Sequence, residues 1–160
     1  MRAGLLALCM GVLSAVAAEA APLLGPGGGT CTTINCQAAR FRGVVADEGG
    51  FAVPFTMQVQ ALAGRCLRLE TTQQDVNLEM VVVSPDGTTW RDDDGGAGTL
   101  SLVKIASTPR TGFYTVHLSH FNGVAVNAAF TLLVGQYPAG NPNCAGGSTS
   151  SSSGGGSGLS

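Results

Sequence analysis

Charge is scarce in this chain, and so are aromatic rings. Only 11% of the 160 residues are Asp, Glu, Lys or Arg, and the formal net charge is −2. Beyond Arg2, the basic residues are Arg40, Arg42, Arg65, Arg68, Arg91, Lys104 and Arg110, scattered along the sequence. They form no basic stripe with interleaved aromatics, so nucleic acid is not an expected partner. They form no polybasic run of the kind that draws a protein to an anionic membrane. No apolar stretch reaches the ~20 residues that a spanning helix requires, so no membrane span is expected in the mature chain. Histidine occurs twice, at His117 and His120, and the G-x-S-x-G elbow of many hydrolases is missing. The paired C-x2-C knuckles of a zinc site are missing too. After the N-terminal stretch nothing sustains an apolar period of 3.6 residues, which argues against amphipathic helices.

What the chain does contain begins with a processing signal. Arg2 precedes an apolar run over residues 5–13, and Ala18-Glu19-Ala20 puts small residues at positions −3 and −1 of a cleavage site. That is the layout of a secretory signal peptide, so residues 1–20 are expected to be removed and the product to be secreted or periplasmic. Cleavage there leaves Cys31, Cys36, Cys66 and Cys144. In an oxidising compartment four cysteines favour two disulfides, with three pairings open. Residues 21–37, which hold Cys31 and Cys36, open on a run rich in glycine and proline and are expected to form a flexible leader. Residues 145–160, AGGSTSSSSGGGSGLS, are expected to form a disordered tail, because they carry too little apolar surface to offset the entropy of ordering.

Between these ends the signals are those of strands. Residues 41–46 form a candidate strand ended by Asp47-Glu48-Gly49-Gly50. Phe55-Thr56-Met57-Gln58-Val59 alternates apolar and polar, the period of two of a half-buried strand. In Cys66-Leu67-Arg68-Leu69-Glu70 both leucines face one way, which puts Cys66 on the outer face, within reach of a loop cysteine. Leu78, Met80 and Val82 make the next inward row. Ser84-Pro85-Asp86-Gly87 fits a β-turn, after which Thr88-Thr89-Trp90 begins a return strand. Leu100, Leu102 and Ile105 are expected to lie in a further strand, in which Val103 blurs the alternation. Tyr114, Val116 and Leu118 form a further inward row, and Phe130, Leu132 and Val134 form the last, with an Asn122-Gly123 turn between. Residues 38–144 are therefore expected to form one all-β domain, an antiparallel, jelly-roll-like β-sandwich of about seven to nine strands.

Within residues 75–118 the order of motifs becomes specific: D-x-N-L-x-M, then S-P-D-G, then D-D-D-G-G, then G-F-Y-T-V-H-L. With the closing apolar run Ala128-Ala129-Phe130-Thr131-Leu132-Leu133-Val134, this order resembles the bacterial pre-peptidase C-terminal (PPC) domain family. The resemblance covers residues 38–137. It implies a non-catalytic β-sandwich of the kind usually appended to secreted proteases and other exported hydrolases. Such modules act in secretion, in targeting or in binding protein and polysaccharide surfaces, and some bind calcium. No protease domain is expected in this chain, and the expectation is therefore stand-alone binding or partnership with a separately encoded protein.

The acidic run Asp92-Asp93-Asp94-Gly95-Gly96 is the leading candidate site. Calcium takes six to eight oxygen ligands, a cation would relieve the repulsion among three adjacent aspartates, and the glycines let loop carbonyls turn inward. Asp75 and Asp86 could join such a site if their turns converged on it. Against calcium, the run lacks the D-x-D-x-D-G spacing of an EF-hand, and acidic surface runs are mostly solvated loops. His117 and His120, three apart in a strand, point to opposite faces, a poor geometry for a shared metal or a catalytic dyad. Trp90 beside the acidic loop is a candidate ring for stacking a ligand, although packing in the core is the stronger expectation. The expected function is that of an exported, non-catalytic binding or accessory module whose partner is an exported protein or a cell-surface glycan. The alternatives are a secreted hydrolase using His117 or His120, and a structural or adhesive envelope component.

Overall fold

The alternation of apolar and polar residues resolves into two stacked sheets. The structure, a computed structural model, describes residues 23–24 and 39–152. The expected signal peptide, and Cys31 and Cys36 within the leader, lie outside these residues. Eleven strands are described: β1 (Leu23–Leu24), β2 (Ala39–Glu48), β3 (Phe51–Val53), β4 (Phe55–Ala61), β5 (Cys66–Gln74), β6 (Leu78–Val83), β7 (Thr88–Asp92), β8 (Leu102–Ile105), β9 (Gly112–His120), β10 (Ala128–Tyr137) and β11 (Ser150–Ser152). One sheet has the order β1-β4-β9-β6-β7-β11 and the other β3-β2-β10-β5-β8.

Eight of these strands are four residues or longer, four in each sheet. They pair as nested hairpins, all antiparallel: β6 with β7, β5 with β8, β4 with β9 and β2 with β10. One long hairpin has thus been rolled up so that its arms alternate between the two sheets, which is the topology of a jelly roll. The expected fold class holds.

The core lies between the sheets and is made by the residues that the period of two selects. Met57, Val59, Leu67, Leu69, Met80, Val82, Tyr114, Val116, Leu118, Leu132 and Val134 have no accessible surface. Each large apolar side chain so placed contributes roughly 1.5–3 kcal/mol relative to exposure. Phe55 and Phe130 meet edge to face at 4.9 Å, a favoured aromatic geometry. The Ser84-Pro85-Asp86-Gly87 turn forms as expected: Gly87 N–H donates to Ser84 O at 3.0 Å, and Gly87 takes φ 84°, which a side chain would resist.

Strand β8 gives the phase that Val103 blurs in the sequence. Val103 pairs with Leu69 and Ile105 with Leu67, so Val103 and Ile105 are the inward residues. Leu102 faces out, and its 8% exposure reflects cover from outside rather than from the core. A single-residue shift exchanges the faces of a strand, and four residues of mixed apolar character cannot fix the phase by themselves.

Residues 23–24 and 145–152 are also more ordered than the composition of their segments suggests. Leu23 and Leu24 pair in parallel with Gln58 and Val59, and Leu24 packs on the core. The segment after Cys144 follows the sandwich edge as far as Ser152. Ser148 N–H donates to Lys104 O at 2.8 Å, and Ser150, Ser151 and Ser152 pair with Trp90, Thr89 and Thr88. Here β7 and β8 are the exposed edges of their sheets, and unpaired edge groups accept another backbone whatever its side chains. The expectation of a disordered tail is thereby corrected for residues 145–152.

Candidate functional site

The acidic run is first of all a structural clasp. Asp92 ends β7 opposite Met80, so its side chain follows the inward phase. Its Oδ1 accepts from Gly95 N at 2.7 Å and from Leu102 N at 2.8 Å, which closes the loop and ties β7 to the first residue of β8 in the other sheet. Asp75 serves β10 in the same manner: Ala129 N–H donates to its Oδ2 at 2.9 Å. Asp86 lies in the β6–β7 turn, at the far end of β7 from Asp92. At ~3.3 Å per residue the two turns stand a strand's length apart. Among the described residues no three His, Cys, Asp or Glu side chains are grouped so as to hold a metal ion. The condition for Asp75 and Asp86 to join Asp92, Asp93 and Asp94, that their turns converge, is therefore not met among the described residues: Asp75, Asp86 and Asp92 each bond within their own surroundings. Asp92→Ala should cost about 1–3 kcal/mol in thermal unfolding, since the partly buried Leu102 N–H loses its acceptor along with the exposed Gly95 N–H. The same melts run with millimolar calcium and with chelator test the loop as an ion site. A native-state ligand must raise the midpoint, and no shift is expected while Asp92 is engaged by the backbone.

Asp86 is the carboxylate whose ionisation the fold moves most clearly. The Ser84 hydroxyl donates to its Oδ1 and Thr88 N–H adds a second bond at 3.1 Å. These bonds, with the Arg110 guanidinium nearby, hold it below the ordinary aspartate range. A depressed carboxylate stabilises the fold above its unfolded pKa and loses that contribution as pH falls through the folded value. Wild type should therefore lose stability more steeply than Asp86→Asn below about pH 4, read from midpoints across an acid series.

The histidines are separated as expected. His117 lies on the outer face of the six-stranded sheet, where its Nδ1 pairs with Thr56 Oγ1 at 2.9 Å. His120 ends β9, with its Nδ1 accepting from Asn122 N at 3.3 Å and its ring 5.5 Å from Phe121. Neither is hydrogen-bonded to Ser119 or to a carboxylate among the described residues. The ligand-stacking role considered for Trp90 fails. The indole is 6% exposed and packs in the core 6.5 Å from the Tyr114 ring, because Trp90 pairs with Val82 and shares its inward phase.

The outer face of the five-stranded sheet carries what the linear sequence hides. Pairing places Arg40 beside Leu133, Arg42 beside Thr131, and Arg68 between Gly135 and Lys104. Four basic residues that are scattered in sequence thus share one surface. Arg68 is bound by Glu70 at 2.7 Å and donates to Asn143 O, and Lys104 Nζ donates to Ala145 O. Arg40 and Arg42 are exposed and make no ion pair among the described residues. Beside Arg42 opens a depression of about 760 Å³ lined by Val44, Gln73, Gln74, Asp75 and Thr131. Val44 is 52% exposed, and Phe51 on the adjoining β3 is 76% exposed.

A disulfide secures the other side of this face. Cys66 and Cys144 are joined across 78 residues, as the outward phase of Cys66 allowed. Tyr137 completes a small buried cluster with them. Its ring lies over Gly135, where a Cβ would collide with it. Among the described residues no helix is long and apolar enough to cross a membrane.

No family model matches the chain, and no curated protein matches it. Solved structures are similar. The PliG of Aeromonas hydrophila, a periplasmic lysozyme inhibitor of g-type lysozyme, aligns over 71% of this chain and 96% of its own, at 12% identity and a TM-score of 0.41. The PliG of Salmonella Typhimurium aligns over 67% and 98%, at 11% identity and a TM-score of 0.39. A mutant PliG of Escherichia coli aligns over 72% and 99%, at 10% identity and a TM-score of 0.36.

Proposed function

We propose that the protein is an exported, non-catalytic binding module of PPC-like type that docks another exported protein on the outer face of its five-stranded sheet. One observation carries the reading: this face combines an open depression, two arginines without ion pairs among the described residues and an exposed Val44, with Phe51 exposed on the adjoining β3. Exposed apolar groups rimmed by polar ones are the kind of surface that marks a site of protein interaction. The export assignment is supported by the Cys66–Cys144 disulfide, which an oxidising compartment favours. The non-catalytic assignment is supported by the engagement of each candidate acid or base in its own turn or strand. A protein partner is favoured over a glycan because Trp90, the ring considered for stacking a sugar, is buried in the core.

A photo-cross-linking side chain at position 44, with position 81 on the opposite face as control, tests the reading in cells that export the full chain. A discrete adduct from position 44 alone is expected. Equal adducts from both positions, or none from either, would overturn it.

A further inference from the structure

We infer that the segment bound on this face is an extended stretch of protein with acidic side chains followed by an apolar one, an inference that rests on the binding reading above. Although the chain is net negative, Arg40, Arg42, Arg68 and Lys104 lie on one face of one sheet. Arg68 and Lys104 are held by Glu70 and by Ala145 O, which leaves Arg40 and Arg42 to meet a ligand. These two are alternate residues of β2, so their side chains project to the same side about 6.6 Å apart. Val44, the next residue of that phase, stands another two positions on and is 52% exposed. The row therefore reads cation, cation, apolar at the repeat of an extended chain.

A second extended chain laid along β2 presents its own alternate side chains at the same spacing. Two carboxylates at i and i+2 would meet Arg40 and Arg42, and an apolar side chain at i+4 would cover Val44, with the exposed Phe51 ring at the same edge. A chain running the other way reads the same pattern in reverse. A uniformly charged polymer fits less well. Among the described residues of this face only two cations lack an ion pair or a held position, an apolar residue occupies the third place, and the carboxylates of Glu48 and Asp75 lie at the margins and repel it. Carboxylates beside guanidinium groups make charge-assisted bonds, which supports recognition by sign as well as by shape.

The test uses the full mature chain and three probes: a synthetic peptide built on Glu-Thr-Glu-Thr-Val, its Lys-Thr-Lys-Thr-Val counterpart, and dextran sulfate. Binding is read by titration calorimetry at low salt, where exposed charges act most strongly. The acidic peptide should bind at least 10-fold more tightly than the basic one. Arg40→Glu with Arg42→Glu should reverse that preference, and Val44→Ser, which removes the apolar contact without adding charge, should weaken the acidic peptide by several-fold. Both are exposed-surface changes, and an unchanged unfolding midpoint verifies the fold. Equal binding of the two peptides overturns the inference. So does a preference that survives the charge reversal, in which case the arginines only guard a sheet edge. Tighter binding of dextran sulfate than of the acidic peptide would mean a polyanion instead. Repeating the position 44 cross-link in the charge-reversed chain separates the two claims. An adduct of unchanged yield keeps the binding reading and removes the acidic one, whereas loss of any adduct from the wild-type chain removes both.

Discussion

Replacing Cys66 and Cys144 together by alanine should cost the fold about 4 kcal/mol, in the upper part of the 2–5 kcal/mol range for native disulfides. The bridge closes 78 residues, and the entropy it removes from the unfolded chain grows with the logarithm of that length. Both sulfur-bearing residues are also buried, at 0% and 3% exposure, against Tyr137. The melting midpoint should fall by roughly 10–15 °C. A second readout locates the effect. The bridge anchors the segment that carries Ser148 and β11, so amide exchange at Ser148 should speed up before exchange in β4, β6 and β9. A loss below about 1 kcal/mol would contradict an entropic role for a loop this long.

Tyr114→Ala should be the most damaging single substitution, at about 3–5 kcal/mol in denaturant unfolding. Its ring has no accessible surface, packs beside Trp90 and sits in the centre of β9 between β4 and β6. Its hydroxyl donates to Arg110 O at 2.8 Å, which pins the β8–β9 connection to the core. Tyr114→Phe keeps the ring and should cost only about 1 kcal/mol, because a backbone carbonyl at the surface can turn to water. The pair also has a pH signature. Burial pushes the Tyr114 phenol above its ordinary value, and the Asp86 carboxylate adds to the effect. The folded state therefore holds that proton longer than the unfolded chain. Stability is complete below the ordinary tyrosine pKa and declines as pH rises from there towards the raised value. Tyr114→Phe should lack that alkaline decline, and an identical decline in both proteins would remove Tyr114 as its source.

Much of the architecture was legible because strands report their faces locally. The alternation in residues 55–59, 78–82 and 114–118 identified inward rows that the structure buries completely apart from Phe55, which is partly buried. The Ser84-Pro85-Asp86-Gly87 turn followed from the φ preferences of proline and glycine. The phase of Cys66 allowed for its bridge. Where the local signal was short or mixed it failed. The phase of Leu102 and Val103 was blurred because β8 is only four residues long, and it is set by Leu67 and Leu69 across the ladder. The serines of β11 have no strand character, and the edge of β7 alone gives them one.

The acidic loop shows the same division at the scale of a site. Three aspartates in a row read as an ion site, because composition records charge and not what it faces. In the fold Asp92 turns towards Gly95 N and Leu102 N, and it becomes a clasp between sheets. The basic face went unseen for the converse reason. Arg40, Arg42, Arg68 and Lys104 are up to 64 residues apart in sequence and become neighbours only through the pairing of β2, β10, β5 and β8.

The sequence by itself determined the class of the fold, its inward rows and its turns, because these depend on the period of side chains along a strand and on the backbone preferences of single residues. The tertiary structure alone decided which strands lie side by side, and hence which charges meet, which aspartates are engaged and which surface stays open. Those outcomes depend on pairing between segments far apart in the chain, and no local pattern encodes their register.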